Sequence, residues 1–145
     1  MAKAASGTRR SGSKNSSKTS KTRSPSKVWT AALIKGGFTV ISHFFLEKYH
    51  ELTPQITHGE AMLIIHLISF KWDEKMPYPA YKTLAKRMLI GHSQARNLAR
   101  SLQKKGYLKR HVREKETNLF DLEPLFRALE DLMKSEDNKN RKASS

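Results

Sequence analysis

The segment from Pro79 to Leu108 constrains this chain more than any other. Leu84, Ala85 and Met88 sit at helical spacing, Ile90 and Gly91 interrupt, and Ala95, Leu98, Ala99 and Leu102 resume it. The pattern predicts a helix from Ala80 to about Leu89, a tight turn, and a second helix from His92 to Lys105 ending at Gly106, a good left-handed cap. The second helix is apolar on one face and basic on the other. A short basic helix behind a tight turn suits the major groove of a nucleic-acid duplex. The functional question thus becomes which nucleic acid, ahead of which reaction.

The rest of the chain agrees in charge. Its 145 residues carry a formal net charge of +15, and the sequence pI is about 10.2. Such a charge favours polyanionic partners without specifying a fold. Nucleic acid leads and an anionic membrane surface is second. No apolar run reaches the roughly 18 residues that would span a bilayer, and the charged N-terminus lacks the apolar core of a secretory signal. The absence of cysteine removes disulfides and Cys-ligated zinc and fits a reducing cytoplasm.

Residues 1–27 hold eight bases, no acid and almost nothing apolar. They cannot bury enough surface to offset ordering entropy, so a disordered basic tail is expected. A second polar, frayed tail is expected over 134–145, leaving a domain over 28–133. Within it Phe38 to Ile41 suggests a short strand, and Ser42 can cap a helix carrying Phe44, Phe45, Leu46 and Tyr49. Thr57 and Glu60 have the spacing of a capping box. It opens a helix apolar nearly all round, from Ala61 to Phe70, which should be central and buried. Pro77 and Pro79 enforce an extended link. Tyr107–Val112 and Asn118–Leu122 read as two strands, with Leu108, Val112, Phe120 and Leu122 inward. Pro124 starts a last helix with Leu125, Phe126, Leu129, Leu132 and Met133 as its apolar stripe.

With its elements in that order, the chain resembles the winged helix-turn-helix family. The nearest likeness is to domains of bacterial, plasmid and phage replication initiators and of primosomal DnaD-type proteins. The residues that carry it are Tyr78 to Ala85, then Ile90, Ala95, Leu98 and Leu102, then Lys105 to Leu108, and Thr117 to Phe126. The resemblance covers roughly Thr57 to Leu132. The resemblance implies a mainly α fold with a small β-hairpin wing, and a role in replication initiation or transcriptional control. Two positions depart from the family pattern. Leu89 stands where glycine is common, and Ala80 where Ser or Thr would cap.

The polar face of the second helix carries Ser93, Gln94, Arg96, Asn97 and Arg100, the expected base readers. Arg suits guanine, and Asn or Gln suits adenine, through paired hydrogen bonds. Lys82, Lys86, Arg87, Lys104 and Lys105 are placed for phosphates, which position a protein without reading sequence. Lys109, Arg110, Arg113 and Lys115 belong to the strand and wing. The plainer alternatives are a solvated basic helix face and a charged edge that discourages strand addition. His43, His50, His58, His66, His92 and His111 have no zinc spacing, and His66 reads as a hydrogen-bonded core histidine. Trp29 and Trp72 read as core or interface. No phosphate-cradling loop, metal set or nucleophile–base spacing stands out, so no cofactor and no enzyme activity is expected.

Three functions compete. The first is a double-stranded DNA reader, cytoplasmic and nucleoid-associated, acting as a homodimer because paired half-sites give small readers specificity. One of two apolar faces, Phe38 to Leu52 or Leu125 to Met133, is expected to form that dimer. The second is an interaction module that joins a primosome or other complex through its apolar terminal helices, with the basic tail adding non-specific DNA affinity. The third is a non-specific DNA packaging protein. The polar residues of the second helix favour the first.

Overall fold

The computed structural model describes residues 24–71 and 73–144. The expected basic tail therefore lies outside the described residues as far as residue 23, as does Trp72. The described chain forms two units, divided between Phe38 and Thr39, so the expected domain start at residue 28 falls inside the smaller one.

The smaller unit holds two short helices, α1 (Pro25–Val28) and α2 (Ala31–Lys35). Proline opens α1, where its missing N–H is no loss. The Thr30 hydroxyl accepts the Leu33 amide at the start of α2 (3.2 Å). Neither helix buries a residue. Trp29, expected in a core or interface, is exposed.

The larger unit begins with an irregular stretch. Phe38 to Ile41 is not a strand. Its β-branched character has no adjacent edge to pair with, and an unpaired strand is not stable in water. Then come α3 (His43–Lys48), a 3₁₀ turn (Tyr49–Glu51), α4 (His58–Ser69), α5 (Tyr81–Met88) and α6 (His92–Lys104). The strands β1 (Lys109–His111) and β2 (Leu119–Asp121) follow, and α7 (Glu123–Ser144) closes the unit.

Local rules account for most of these boundaries. The Ser42 hydroxyl accepts the Phe45 amide (3.2 Å). Thr57 and Glu60 form the reciprocal capping box, with Glu60 N to Thr57 Oγ1 at 3.2 Å and Thr57 N to Glu60 Oε1 at 2.9 Å. Gly106 ends α6 with φ +87°, a region costly for any side chain. Leu89 ends α5 in the left-handed region as well, at φ 55°, and is 92% exposed. The position where the family often has glycine thus keeps the glycine-like backbone.

The core is built on α4, which packs against α5 and α6. Leu63, Leu67, Leu84, Ala95, Ala99 and Leu102 are fully buried. At Gly59 an added Cβ would stand 3.3 Å from Leu98, so the absence of a side chain there lets α4 and α6 approach. The central helix is not buried all round, because Met62 is exposed and Ile65, His66 and Ile68 are half-buried.

The hairpin pairs Lys109 with Asp121, Arg110 with Phe120, and His111 with Leu119. It is shorter than the expected strands. Leu108, Phe120 and Leu122 point inward as expected, but Val112 is 73% exposed. β1 ends one residue before it, and the inward position between is filled by Arg110. The Phe120 amide donates to Pro77 O (2.9 Å), tying the wing to the extended Pro77–Pro79 link.

The expected frayed end from Lys134 is instead helix. α7 continues to Ser144, and Glu136 on it pairs with Lys48 of α3 (3.1 Å). Composition had suggested a tail because the apolar stripe stops at Met133. A helix already nucleated by packing needs only one more backbone bond per added residue.

Candidate nucleic-acid interface

From Lys75 to Arg113 the chain carries eleven lysines and arginines and no acid. That run covers α5, α6 and β1, and any carboxylate that neutralises it must come from outside the run. Motif reading takes these residues one by one and misses the run as a whole.

On α6 the expected base readers divide by helical angle. Ser93, Asn97, Arg100 and Lys104 recur at intervals of four, three and four, which stacks them on one face. Ala95, Ala99 and Leu102 occupy the opposite, buried face. All four outer residues are exposed. Their side chains make no hydrogen bond or ion pair among the described residues. Gln94 is exposed on one flank. Arg96 is half-buried on the other, with Cζ 5.9 Å from the Tyr81 ring and Nη2 3.4 Å from His92 Nδ1. Thus four of the five expected readers remain outward, and Arg96 is turned along the surface.

The expected phosphate residues also separate. Lys82, Lys86 and Lys109 are exposed. Arg87 lies over Phe70, with Cζ 4.3 Å from the ring centroid, and reaches Ser69 Oγ at 3.3 Å. It shares that corner with His66, whose pKa is lowered by burial and by the Arg87 charge. Lys105 is turned inward. Its Nζ donates to Glu60 Oε1 and to Gln55 O, both at 2.7 Å.

Glu60 is the one buried charged residue among those described. Burial pushes its pKa up, but the Lys105 ammonium, the Ser101 hydroxyl and the Thr57 amide outweigh that and hold it below the usual 4.5. Tyr107 adjoins this network and donates its hydroxyl hydrogen to Pro54 O. Its pKa is raised by burial and by the Glu60 charge. The capping box had signalled the backbone half of Glu60's role; nothing local in the sequence signalled Lys105.

In the wing, Arg113 serves the wing itself. Its Nε donates to Thr117 O (2.8 Å), Nη1 faces Glu116 (3.2 Å), and Cζ lies 5.5 Å from the Tyr78 ring. Lys115 is exposed at φ 62°, the bend that a loop without glycine must make. Arg110 is half-buried, and Nη1 donates to Tyr81 Oη (3.3 Å).

Residues 41–140 match the DnaD N-terminal domain. The chain belongs to the DnaD N-terminal domain family. The match extends beyond the 57–132 over which the resemblance was read, taking in α3 and most of α7. A crystal structure of the N-terminal domain of DnaD protein from Geobacillus kaustophilus HTA426 has the same fold. The TM-score is 0.60 at 23% identity, covering 83% of this chain and 99% of that one. No curated protein sequence matches the chain. Membership makes this a replication-related protein of the DnaD type. No helix among the described residues is long and apolar enough to cross a membrane.

Proposed function

We propose that this DnaD-type domain binds double-stranded DNA in replication initiation, laying α6 in the major groove. The observation that carries this is the outward stripe of Ser93, Asn97, Arg100 and Lys104, exposed and without partners among the described residues. None of the four is committed to a contact among the described residues, so each can exchange bound water for a nucleic-acid partner. Asn97 and Arg100 have the donor and acceptor sets to read adenine and guanine edges. Lys82, Lys86 and Lys109 flank them for phosphates, and the acid-free run from Lys75 to Arg113 supplies the attraction at longer range.

The test is duplex binding by the full chain and by Asn97→Ala and Arg100→Ala, after selection of bound fragments from a random duplex library. A recovered preferred site, bound less well by both variants while circular dichroism is unchanged, supports the reading. Equal affinity for all duplexes in wild type and variants would reduce the protein to a non-specific binder.

A second reading has its own observation. An apolar groove of about 300 Å³ opens between α3, α4 and α7, lined by Ile41, Phe45, Ile65, Ile68, Phe126 and Leu129. Val40 on its rim is 77% exposed. A second copy of the chain is the occupant we infer, in keeping with a family that works in assemblies. Sedimentation at micromolar concentration tests it, with Ile68→Glu expected to shift a dimer to monomer. A wild-type monomer, free and on DNA, removes this reading and leaves the first standing.

A further inference from the structure

At the junction of α5, α6 and the wing, one aromatic ring gathers three basic side chains. Tyr81 opens α5 and is fixed from behind by Phe120, edge to face at 5.7 Å; Phe120 is itself fully buried. The Arg110 guanidinium reaches the Tyr81 hydroxyl at 3.3 Å. Arg96 sets its Cζ 5.9 Å from the same ring, and the His92 ring stands edge-on to it at 6.0 Å. Arg96 and His92 are one helical turn apart and touch at 3.4 Å. Three separate elements thus converge on one ring.

Neither arginine has a carboxylate within ion-pair distance among the described residues. The nearby wing carboxylate, Asp121, faces His111 instead (3.8 Å). Arg110 Nε is buried and donates to nothing. A buried donor without an acceptor costs stability, and two guanidinium groups at one ring repel each other. A single anion at the outer guanidinium nitrogens would relieve that repulsion, although the buried Nε stays out of its reach. The ring sits where the first turn of α6 begins, after Gly91, which offers no side chain to cap the helix amides; an anion is favoured at such an end.

We propose that Arg96 and Arg110, gathered on Tyr81 beside His92, hold one and the same backbone phosphate of the duplex. This rests on the reading that α6 enters the major groove, and gives Arg96 a positioning role in place of base reading. Guanidinium suits the task because its planar fork matches phosphate oxygens in pairs. A phosphate fixed from the wing and from α6 together would set how deeply and at what angle the helix lies, leaving Asn97 and Arg100 to read bases.

The test uses the full chain, a short duplex of defined sequence and the salt dependence of binding. Each lost phosphate contact should flatten the slope of log K against log salt by about 0.9. If the two arginines share one phosphate, either alone keeps it neutralised, so Arg96→Gln and Arg110→Gln should each lower affinity with little change of slope, and only the double variant should flatten the slope by that one step. In addition, the Arg110 Nε–H resonance of the wild type should shift when the duplex is added. An unchanged slope in the double variant would overturn the proposal, and so would one full step lost in each single variant and two in the double, which means separate phosphates. Should Arg110→Gln melt at a lower temperature than wild type, the half-exposed Arg96→Gln and the Arg110 resonance decide alone. If Arg96→Gln and Arg110→Gln bind normally while Asn97→Ala and Arg100→Ala do not, only the phosphate assignment falls. If the wild type binds no duplex, both readings fall.

Discussion

Lys104 and Lys105 are neighbours in sequence with opposite fates. Lys104 ends the outer stripe of α6, exposed and without a partner among the described residues. Lys105 turns under the helix end to a buried carboxylate. The two mark two polar regions of one helix, an open one facing solvent and a closed one facing α4. The closed region is satisfied at nearly every atom: Glu60 accepts from Thr57 N, Ser101 Oγ and Lys105 Nζ. The open region is satisfied by nothing the described chain provides. A polar network used for folding is complete in itself, whereas one used for binding is completed by its partner.

The largest test of this contrast strikes the closed region. Glu60→Ala leaves the Lys105 ammonium without its counter-charge, with only Gln55 O to accept from it, and removes half of the capping box. It should cost about 3–5 kcal/mol of stability by denaturant titration. Replacing both partners, as Glu60→Leu with Lys105→Met, should recover much of that, since an apolar pair leaves no charge buried. If Glu60→Ala melts like wild type, the closed region is not closed.

The same carboxylate sets an acid limit. Its folded pKa lies below the ordinary 4.5, so its stabilisation is complete above that value and is lost as pH falls through the lower folded one. His66, with its pKa lowered from 6.5, adds an earlier loss as pH drops below 6.5, because the unfolded chain takes up that proton more readily. A stability profile against pH should show both, and Glu60→Gln should remove only the more acidic one.

Striking the open region should do the reverse. Arg100→Ala and Asn97→Ala are expected to cost about 1–3 kcal/mol at the preferred duplex, while stability stays within about 0.5 kcal/mol of wild type. A large fall in melting temperature for either would show that the stripe serves the fold after all.

The smallest effect lies between the regions, at the turn. Leu89 holds a left-handed backbone and is almost wholly exposed, so Leu89→Gly gives up little packing and relieves strain of about 1–2 kcal/mol, part of it returned as chain entropy. A gain of about 0.5 kcal/mol in stability is expected. A loss would mean that the Leu89 side chain makes a contact worth more than the strain.

Much of the fold was legible from spacing. Ser42 and the Thr57–Glu60 pair were readable as caps because a cap acts on amides two or three residues away. Leu108, Phe120 and Leu122 were readable as inward because a strand repeats every two residues. Val112 failed by the same rule, since alternation says which face a residue takes and not where the strand stops. Of the expected DNA residues, Ser93, Asn97, Arg100 and Lys104 keep an open position, and Arg96, Lys105, Arg110 and Arg113 are drawn against the protein. Periodicity tells inside from outside; it does not say which outside cation a distant group will capture.

By itself, then, the sequence determined the two helices about Leu89–Gly91, the basic outer face of the second, the short wing and the caps, because each follows from residues within about one turn of one another. Tertiary structure alone decided that Lys105 belongs to Glu60, 45 residues away, that Arg110 fills an inward strand position against Tyr81, and that α7 runs on to Ser144. Those outcomes depend on groups that only folding brings within reach. A charge buried by packing must find an opposite charge or a hydrogen bond wherever the chain happens to supply one.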